Sequence, residues 1–264
     1  YIVNDPNIPV KTINDLYVTI TISDENIKEE SGADSKDTVG GSNIVETQKV
    51  NDHIFPVIGT IQMLKSTAFE DVKVIYDVAR YPYTAGLNRF YYVFLHELLH
   101  VLGVGFLWTE PDYVEGSDKA SYNRFWITDA TTNPAYVGPS LTKYNGLSAT
   151  VFYYAKQMGL SGKIKKIPIE NNGEPGTKLW HWEQGLYRDL NNNNVVSEDN
   201  RVIDNVKTPG LDNEIMVGWG TDKPPYISAI TIANLEDLGY QVNYNEADLV
   251  DNNTTNQIFD LERS

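Results

Sequence analysis

Cysteine is absent from this chain of 264 residues. Its absence excludes disulfide bonds, thiolate metal sites and cysteine nucleophiles. Long uncharged runs are absent as well, and none reaches the roughly 20 residues that a membrane-spanning helix needs, so we expect no membrane span. Basic residues are few, with 21 Lys and Arg against 36 Asp and Glu, which gives a formal net charge of −15. Because so acidic a protein repels phosphate groups, nucleic acid is not an expected partner.

Histidine is scarce too, and its four residues are His53, His96, His100 and His181. Two of them lie in FLHELLHVLGVG (94–105), a segment that is otherwise apolar except for Glu97. Positions i and i+4 share one face of a helix, so His96 and His100 can bind the same metal ion. Polar groups are costly among apolar neighbours unless they have partners, which favours a metal site over a coincidental pair.

The pattern His-Glu-x-x-His also predicts a chemistry. A zinc ion lowers the pKa of a bound water towards about 7. Glu97 lies one residue after His96, where it can reach that water without being a ligand itself. A carboxylate so placed can accept the proton of the water and later deliver it to a leaving amine. The segment therefore predicts a Zn²⁺-dependent centre for peptide hydrolysis.

A catalytic zinc ion usually has three protein ligands, so the histidine pair needs a third. In some zinc peptidases a glycine follows the pair after three residues and a third histidine after three more. Gly103 fits the first position, but the second holds Phe106, which cannot ligate. Elimination favours His181, in GTKLWHWEQGL, as the third ligand. Glu110 and Glu115 remain the competing candidates.

Periodicity along the chain predicts an α+β protein. Apolar and β-branched residues predict strands at 16–22, 54–64 and 71–79, separated by a polar loop at 23–43. Pro56 cannot donate to a sheet ladder, which favours a strand start or an edge position for 54–64. Helices are predicted at 87–102, 147–158 and 228–238, the last with Ser228 as its N-cap and Gly239 as its stop.

These elements suggest two subdomains. Residues 1–105 would form a twisted mixed β-sheet with the zinc-binding helix. Residues 106–264 would form a loop-rich, mostly helical part that supplies the third ligand. A cleft between them would fall just after Gly103.

An asparagine-rich segment, DLNNNNVVSEDN (189–200), resembles a calcium loop in rhythm. Oxygen-bearing side chains alternate at Asp189, Asn191 and Asn193. The sixth position lacks the usual glycine and the twelfth lacks an acid. We therefore interpret the segment as a surface loop and keep Ca²⁺ as a minor alternative. His53, at the entrance to a strand, is interpreted as a partly exposed loop histidine.

Four blocks in order carry a resemblance to a known family. HELLHVLGVG is followed by a long insertion, by HWE (181–183), by EIMVGW (214–219) and by a segment ending in LEDLGY (235–240). This arrangement resembles the leishmanolysin-like branch of the metzincin zinc peptidases. In that branch the third histidine is displaced by an insertion and followed by tryptophan. The resemblance covers most of the chain between about residues 50 and 245.

The resemblance implies roles for individual residues. His96, His100 and His181 would bind zinc, Glu97 would be the general base and acid, and Met216 would form the floor of the site. PVIGTIQM (56–63) would be the upper rim of the cleft. Through Gly59 and Thr60 it would pair with an extended peptide substrate by strand addition.

Some features depart from the family. Protozoan leishmanolysins are rich in disulfides and carry a lipid-anchor signal, neither of which is visible here. Some metzincins place a tyrosine two residues after the turn methionine, where this chain has Gly218. Tyr226 is close in sequence, but a structural role is favoured for it.

The sequence thus predicts a secreted or cell-surface zinc endopeptidase, acting as a monomer on protein or peptide substrates. A second hypothesis is a catalytically silent zinc-bearing binding module of a larger assembly. The two hypotheses differ in whether zinc binding is accompanied by turnover.

Overall fold

The computed structural model describes residues 16–23, 40–50, 53–108, 126–128, 133–171, 177–184, 186–189, 194–198, 201–218 and 223–248. Over these ranges the protein is α+β, with small β-sheets and four α-helices. None of the helices in the described part of the chain is long and apolar enough to cross a membrane.

The largest sheet has three strands, which are β1 (Tyr17–Ser23), β2 (Gly40–Val50) and β3 (His53–Leu64). Their order is β1-β3-β2, with β1 parallel and β2 antiparallel to β3. The sheet is therefore mixed, as predicted, and the predicted strands at 16–22 and 54–64 are both confirmed. The predicted loop at 23–43 is wrong at its end, because Gly40–Asn43 already belong to β2; residues 24–39 lie outside the described part.

The expected edge position of β3 is wrong. Gly59 faces Val18 of β1 and Ile44 of β2, and Thr60 is likewise flanked on both sides. Strand addition of a substrate to these two residues is therefore blocked by the protein's own strands. Pro56 is tolerated inside β3 because it precedes the stretch that β1 pairs with, Ile58–Leu64. Pro56 thus correctly indicated a position with no strand partner on one side. It lies just outside the stretch of β3 that pairs with β1, and β3 as a whole is not an edge strand.

The segment after β3 is also different from its prediction. Residues 65–73 form helix α1 (Lys65–Lys73), and beyond it only an isolated bridge joins Ile75 to Asn88. The apolar residues that suggested a strand are largely exposed, whereas Ala68 and Asp71 are buried. The alternating apolar residues in 71–79 therefore do not mark one side of a strand that faces the core. Here the packing of α1 against the sheet and the next helix determines the structure, and the local preference for a strand does not.

Helix α2 (Arg89–Val101) confirms the helix predicted at 87–102. Asn88 caps its start by accepting a hydrogen bond from the Tyr91 N–H (3.0 Å). One side of the helix packs through Val101 on a cluster with the sheet. The other side packs through Leu99 on the core of the downstream part. The predicted boundary at residue 105 thus falls just after a helix that both clusters share.

The downstream part was expected to be mostly helical, but its described residues combine two α-helices with short strands. Both predicted helices are confirmed as α3 (Ala149–Gln157) and α4 (Ala229–Leu238). Ser228 caps α4 by accepting from the N–H groups of Ile230 and Thr231. Gly239 ends it with φ +108°, a left-handed conformation that favours glycine.

The described residues of this part also contain seven short strands, which were not predicted. They are β4 (Ile127–Thr128), β5 (Ala135–Tyr136), β6 (Ile167–Pro168), β7 (Leu186–Asp189), β8 (Asn194–Glu198), β9 (Arg201–Ile203) and β10 (Val206–Thr208). The pair β7–β8 takes up part of the segment interpreted as a surface loop, with Asp189 opposite Asn194. The other oxygen-bearing candidates for calcium, Asn191 and Asn193, lie outside the described residues.

Candidate metal centre

Three histidines converge on one point. The Nε2 atoms of His96 and His100 are 3.1 Å apart, and that of His181 lies 3.1 Å from the first and 3.0 Å from the second. Helix α2 supplies the first two from one face, as their spacing predicts. The third arrives from 81 residues downstream. Within the described part of the chain, these three side chains lie close enough together to hold one metal ion.

His181 is held by neighbouring extended segments. Its own carbonyl accepts from the Glu170 N–H (2.9 Å), and the next residue, Trp182, forms isolated β-bridges with Ile169 and Val217. The Trp182 side chain is fully buried, and its indole N–H donates to the Thr231 hydroxyl (3.0 Å). The tryptophan after the ligand thus anchors His181 in the core.

Hydrogen bonds at the opposite ring nitrogens fix the protonation of all three imidazoles. Each Nδ1 lies beside a main-chain carbonyl, which can only accept a hydrogen bond. The distances are 2.6 Å from His96 to Ile215, 2.8 Å from His100 to Val104 and 2.8 Å from His181 to Thr177. Each Nδ1 therefore carries the hydrogen, and each Nε2 turns a lone pair towards the other two.

Such a cluster fits a zinc ion. Three lone pairs that face each other without a proton repel, and a cation at their centre removes the repulsion. Separations of 3.0–3.1 Å suit nitrogens that share one ion at the usual Zn–N distance of about 2.0–2.1 Å. Hydrogen bonds from the other ring nitrogen are the usual support of zinc-binding histidines.

Burial keeps the imidazoles of His100 and His181 neutral, as metal ligands must be. Desolvation lowers the pKa of His100 well below its ordinary value, and the neighbouring His96 and His181 lower it further. Desolvation, reinforced by His96, lowers the pKa of His181 to about 3. Both rings therefore stay uncharged at neutral pH, each with a single hydrogen on Nδ1.

Glu97 lies beside this cluster, on the same helix, with only 6% of its surface exposed. Its Oε2 accepts a hydrogen bond from the Ser42 hydroxyl of β2 at 2.7 Å. Burial raises the pKa of the Glu97 carboxyl, while His96 and the Ser42 hydrogen bond oppose that rise. A carboxyl with a raised pKa is better suited to taking up a proton and releasing it near neutral pH.

Met216 is fully buried in a turn that contacts the histidine cluster through its main chain. The preceding residue, Ile215, provides the carbonyl that orients His96. The Glu214 carboxylate holds this turn by accepting from the Met216 N–H (2.7 Å) and from the Ser228 hydroxyl (2.8 Å) at the start of α4. Glu214 thus ties the turn to α4, a link that the sequence had not indicated.

Gly218 and Tyr226 can now be placed. A Cβ on Gly218 would lie 2.4 Å from the Thr177 side chain, next to the carbonyl that orients His181. A tyrosine at this position is therefore excluded by packing. Tyr226 forms a β-bridge with Glu214, and its carbonyl accepts from the Ile215 N–H (2.8 Å). Its main chain supports the turn, in agreement with a structural role.

The remaining histidine and the competing ligands do not join the cluster. His53 begins β3 and packs against Gly239, whose added Cβ would lie 2.5 Å from the imidazole. Glu110 and Glu115 lie outside the described residues. Phe106 stacks on the His100 ring, with centroids 4.9 Å apart. The position at which some zinc peptidases carry a third histidine therefore holds an aromatic ring that packs against His100.

At Gly105, just after the end of α2, the main chain passes close to the segment that carries His181. Gly105 has φ +80°, and a Cβ there would lie 2.2 Å from the Trp180 carbonyl oxygen. We expect Gly105→Ala to displace the segment that carries His181, weakening zinc affinity about 10-fold or more. Gly159→Ala is a matched control, because Gly159 also has a positive φ (+65°) but nothing lies within 4 Å of its Cβ position. Competition with a fluorescent zinc chelator measures both affinities; equal values would contradict the expectation.

Comparison with known proteins gives no family. No protein-family model matches the chain, and no curated protein matches it significantly in sequence. The function therefore has to be argued from the site.

Proposed function

We propose that this protein is a zinc-dependent endopeptidase, similar to the leishmanolysin-like metzincins, that hydrolyses peptide bonds of protein substrates. One observation carries the proposal. Three imidazoles turn unprotonated Nε2 atoms towards a common point, while a buried carboxylate, Glu97, lies one residue from the first of them. An ordinary structural histidine would have a donor or a solvent molecule at Nε2 and not two further acceptors.

The residues have separate roles in this proposal. His96, His100 and His181 bind the ion. The ion, when bound, acts as a Lewis acid that polarises the scissile carbonyl and acidifies water. Glu97 accepts the proton of the attacking water on its carboxylate and returns it to the nitrogen of the leaving amine. The carbonyls of Ile215, Val104 and Thr177 keep the three rings in the tautomer that this arrangement requires.

The decisive experiment combines metal content with turnover. Purified protein is analysed for zinc and incubated with fluorescein-labelled casein, with and without 1,10-phenanthroline. We expect about one zinc ion per chain, casein cleavage that the chelator abolishes, and recovery when zinc is added back. A His181→Ala variant should lose both zinc and cleavage. A His53→Ala variant, whose imidazole lies outside the cluster, should keep both.

The outcomes separate the proposal from the alternative of a silent zinc-bearing module. Zinc at one equivalent without cleavage of casein, or of a broad peptide library, would contradict an endopeptidase and favour the module. Full zinc content in His181→Ala would instead contradict the ligand set.

A further inference from the structure

One hydrogen bond links the start of β2 to Glu97. The Ser42 hydroxyl donates to Glu97 Oε2 at 2.7 Å, across 55 residues of sequence. Because a hydroxyl on a paired strand has few rotamers, it holds the carboxylate plane more tightly than a solvent molecule would.

The neighbouring glycine leaves room for the carboxylate to lie against the strand. A Cβ added to Gly40 would lie 3.1 Å from Glu97 Oε1 and 3.1 Å from the Met63 sulfur. Gly40 and Ser42 occupy alternate positions on β2, so both present the same face of the strand to the glutamate. The first residues of β2 thus pack closely against the Glu97 carboxylate. Gly40 leaves space for Oε1, and Ser42 donates a hydrogen bond to Oε2.

We infer that Ser42 is a positioning residue for Glu97, an inference that rests on the proposed function. Its hydroxyl binds Oε2 and so limits the orientations that the Glu97 carboxylate can adopt when it takes the proton from the attacking water. A general base must lie within hydrogen-bond reach of the proton that it abstracts, and small misplacements of reacting groups are costly. Ser42 would therefore affect the rate of turnover and not the binding of substrate or metal.

The first test separates kcat from KM. For Ser42→Ala we expect kcat on fluorescein-labelled casein to fall about 10- to 100-fold, with KM and zinc content unchanged. Ser42→Thr restores a hydroxyl on a residue type that suits strands, so most of the lost kcat should return. Asn43→Ala serves as the control, because Asn43 is an exposed neighbour on the opposite face of β2 and should keep the wild-type kcat.

A second test needs neither zinc nor turnover. The infrared difference between the zinc-free wild type and zinc-free Glu97→Gln isolates the carboxyl band of Glu97. Ser42→Ala should shift this band because a hydrogen bond to Oε2 is lost, and Asn43→Ala should leave it in place. Circular dichroism of each variant verifies that the fold is retained.

The two possible failures are distinguishable. If the wild type shows no chelator-sensitive cleavage, the proposed function fails, and the infrared shift still decides whether Ser42 holds Glu97. If the wild type cleaves casein and Ser42→Ala keeps its kcat, or if the Glu97 band does not move in Ser42→Ala, the inference about Ser42 is overturned while the proposed function stands.

Discussion

Replacing Glu97 by glutamine is expected to leave zinc binding intact and to lower casein cleavage about 10²- to 10⁴-fold, the usual contribution of a general acid–base group. Glutamine keeps the length and shape of the side chain, and its amide oxygen can still accept from Ser42. It cannot, however, accept a proton at neutral pH. The expected change is therefore confined to the proton transfer.

Initial rates of cleavage and zinc content, measured on the same preparations, check this expectation. Glu70→Gln is the matched control, because Glu70 is an exposed glutamate on α1 that pairs with Lys73. It should behave as the wild type. If Glu97→Gln retained cleavage within threefold of the wild type, Glu97 could not be the general base.

Arg201→Met is expected to destabilise the fold by about 3–5 kcal/mol, the usual effect of breaking a buried ion pair from one side. The Arg201 guanidinium forms an ion pair with Glu183 and donates to the carbonyls of Ile169 (3.0 Å) and Pro134 (2.9 Å). The two charged side chains are only 5% and 2% exposed. Methionine would remove these hydrogen bonds and leave the Glu183 carboxylate buried without its cationic partner.

Urea denaturation of the zinc-free chain measures this effect without a contribution from the metal. Lys166→Met is the control, since its 3.5 Å pair with Asp204 is partly exposed and should contribute less than about 1 kcal/mol. The double variant Arg201→Met with Glu183→Leu should regain part of the loss, because it removes the stranded carboxylate. If Arg201→Met and Lys166→Met had the same free energy of unfolding, the buried ion pair would contribute no more to stability than the partly exposed one.

The cluster of three histidines could be predicted from sequence because histidine is so scarce. The helical pair follows from a spacing of four residues, and only two other histidines were available as partners. Elimination therefore favoured His181, and the structure brings it to the pair. Such reasoning is effective when the required residue type is rare, and it would not have selected among many glutamates.

The surroundings of the ligands could not be predicted in the same way. The acceptors at Ile215, Val104 and Thr177 are main-chain carbonyls, which every residue type possesses, so the sequence carries no signal for them. Ser42 lay in a segment interpreted as a loop, and its proximity to Glu97 depends on how β2 pairs with β3.

The sheet illustrates a similar limit. Alternation in 16–22 and the β-rich run at 54–64 correctly indicated strands, and each of these segments pairs with a neighbouring strand. Whether β3 is central or at an edge depends on β1 and β2 pairing with it on opposite sides, and the start of β2 had been interpreted as a loop. The alternation at 71–79 was misleading because helix α1 buries Ala68 and Asp71 while the valines remain exposed.

The use of main-chain carbonyls to orient all three imidazoles has a consequence for how this centre can evolve. A side-chain acceptor is lost when its codon changes, but a carbonyl survives any substitution that preserves the path of the backbone. Ile215, Val104 and Thr177 can therefore vary in residue type while the rings keep their tautomers. A centre built in this way constrains its ligands and a few close-packed glycines and leaves the surrounding sequence free to diverge.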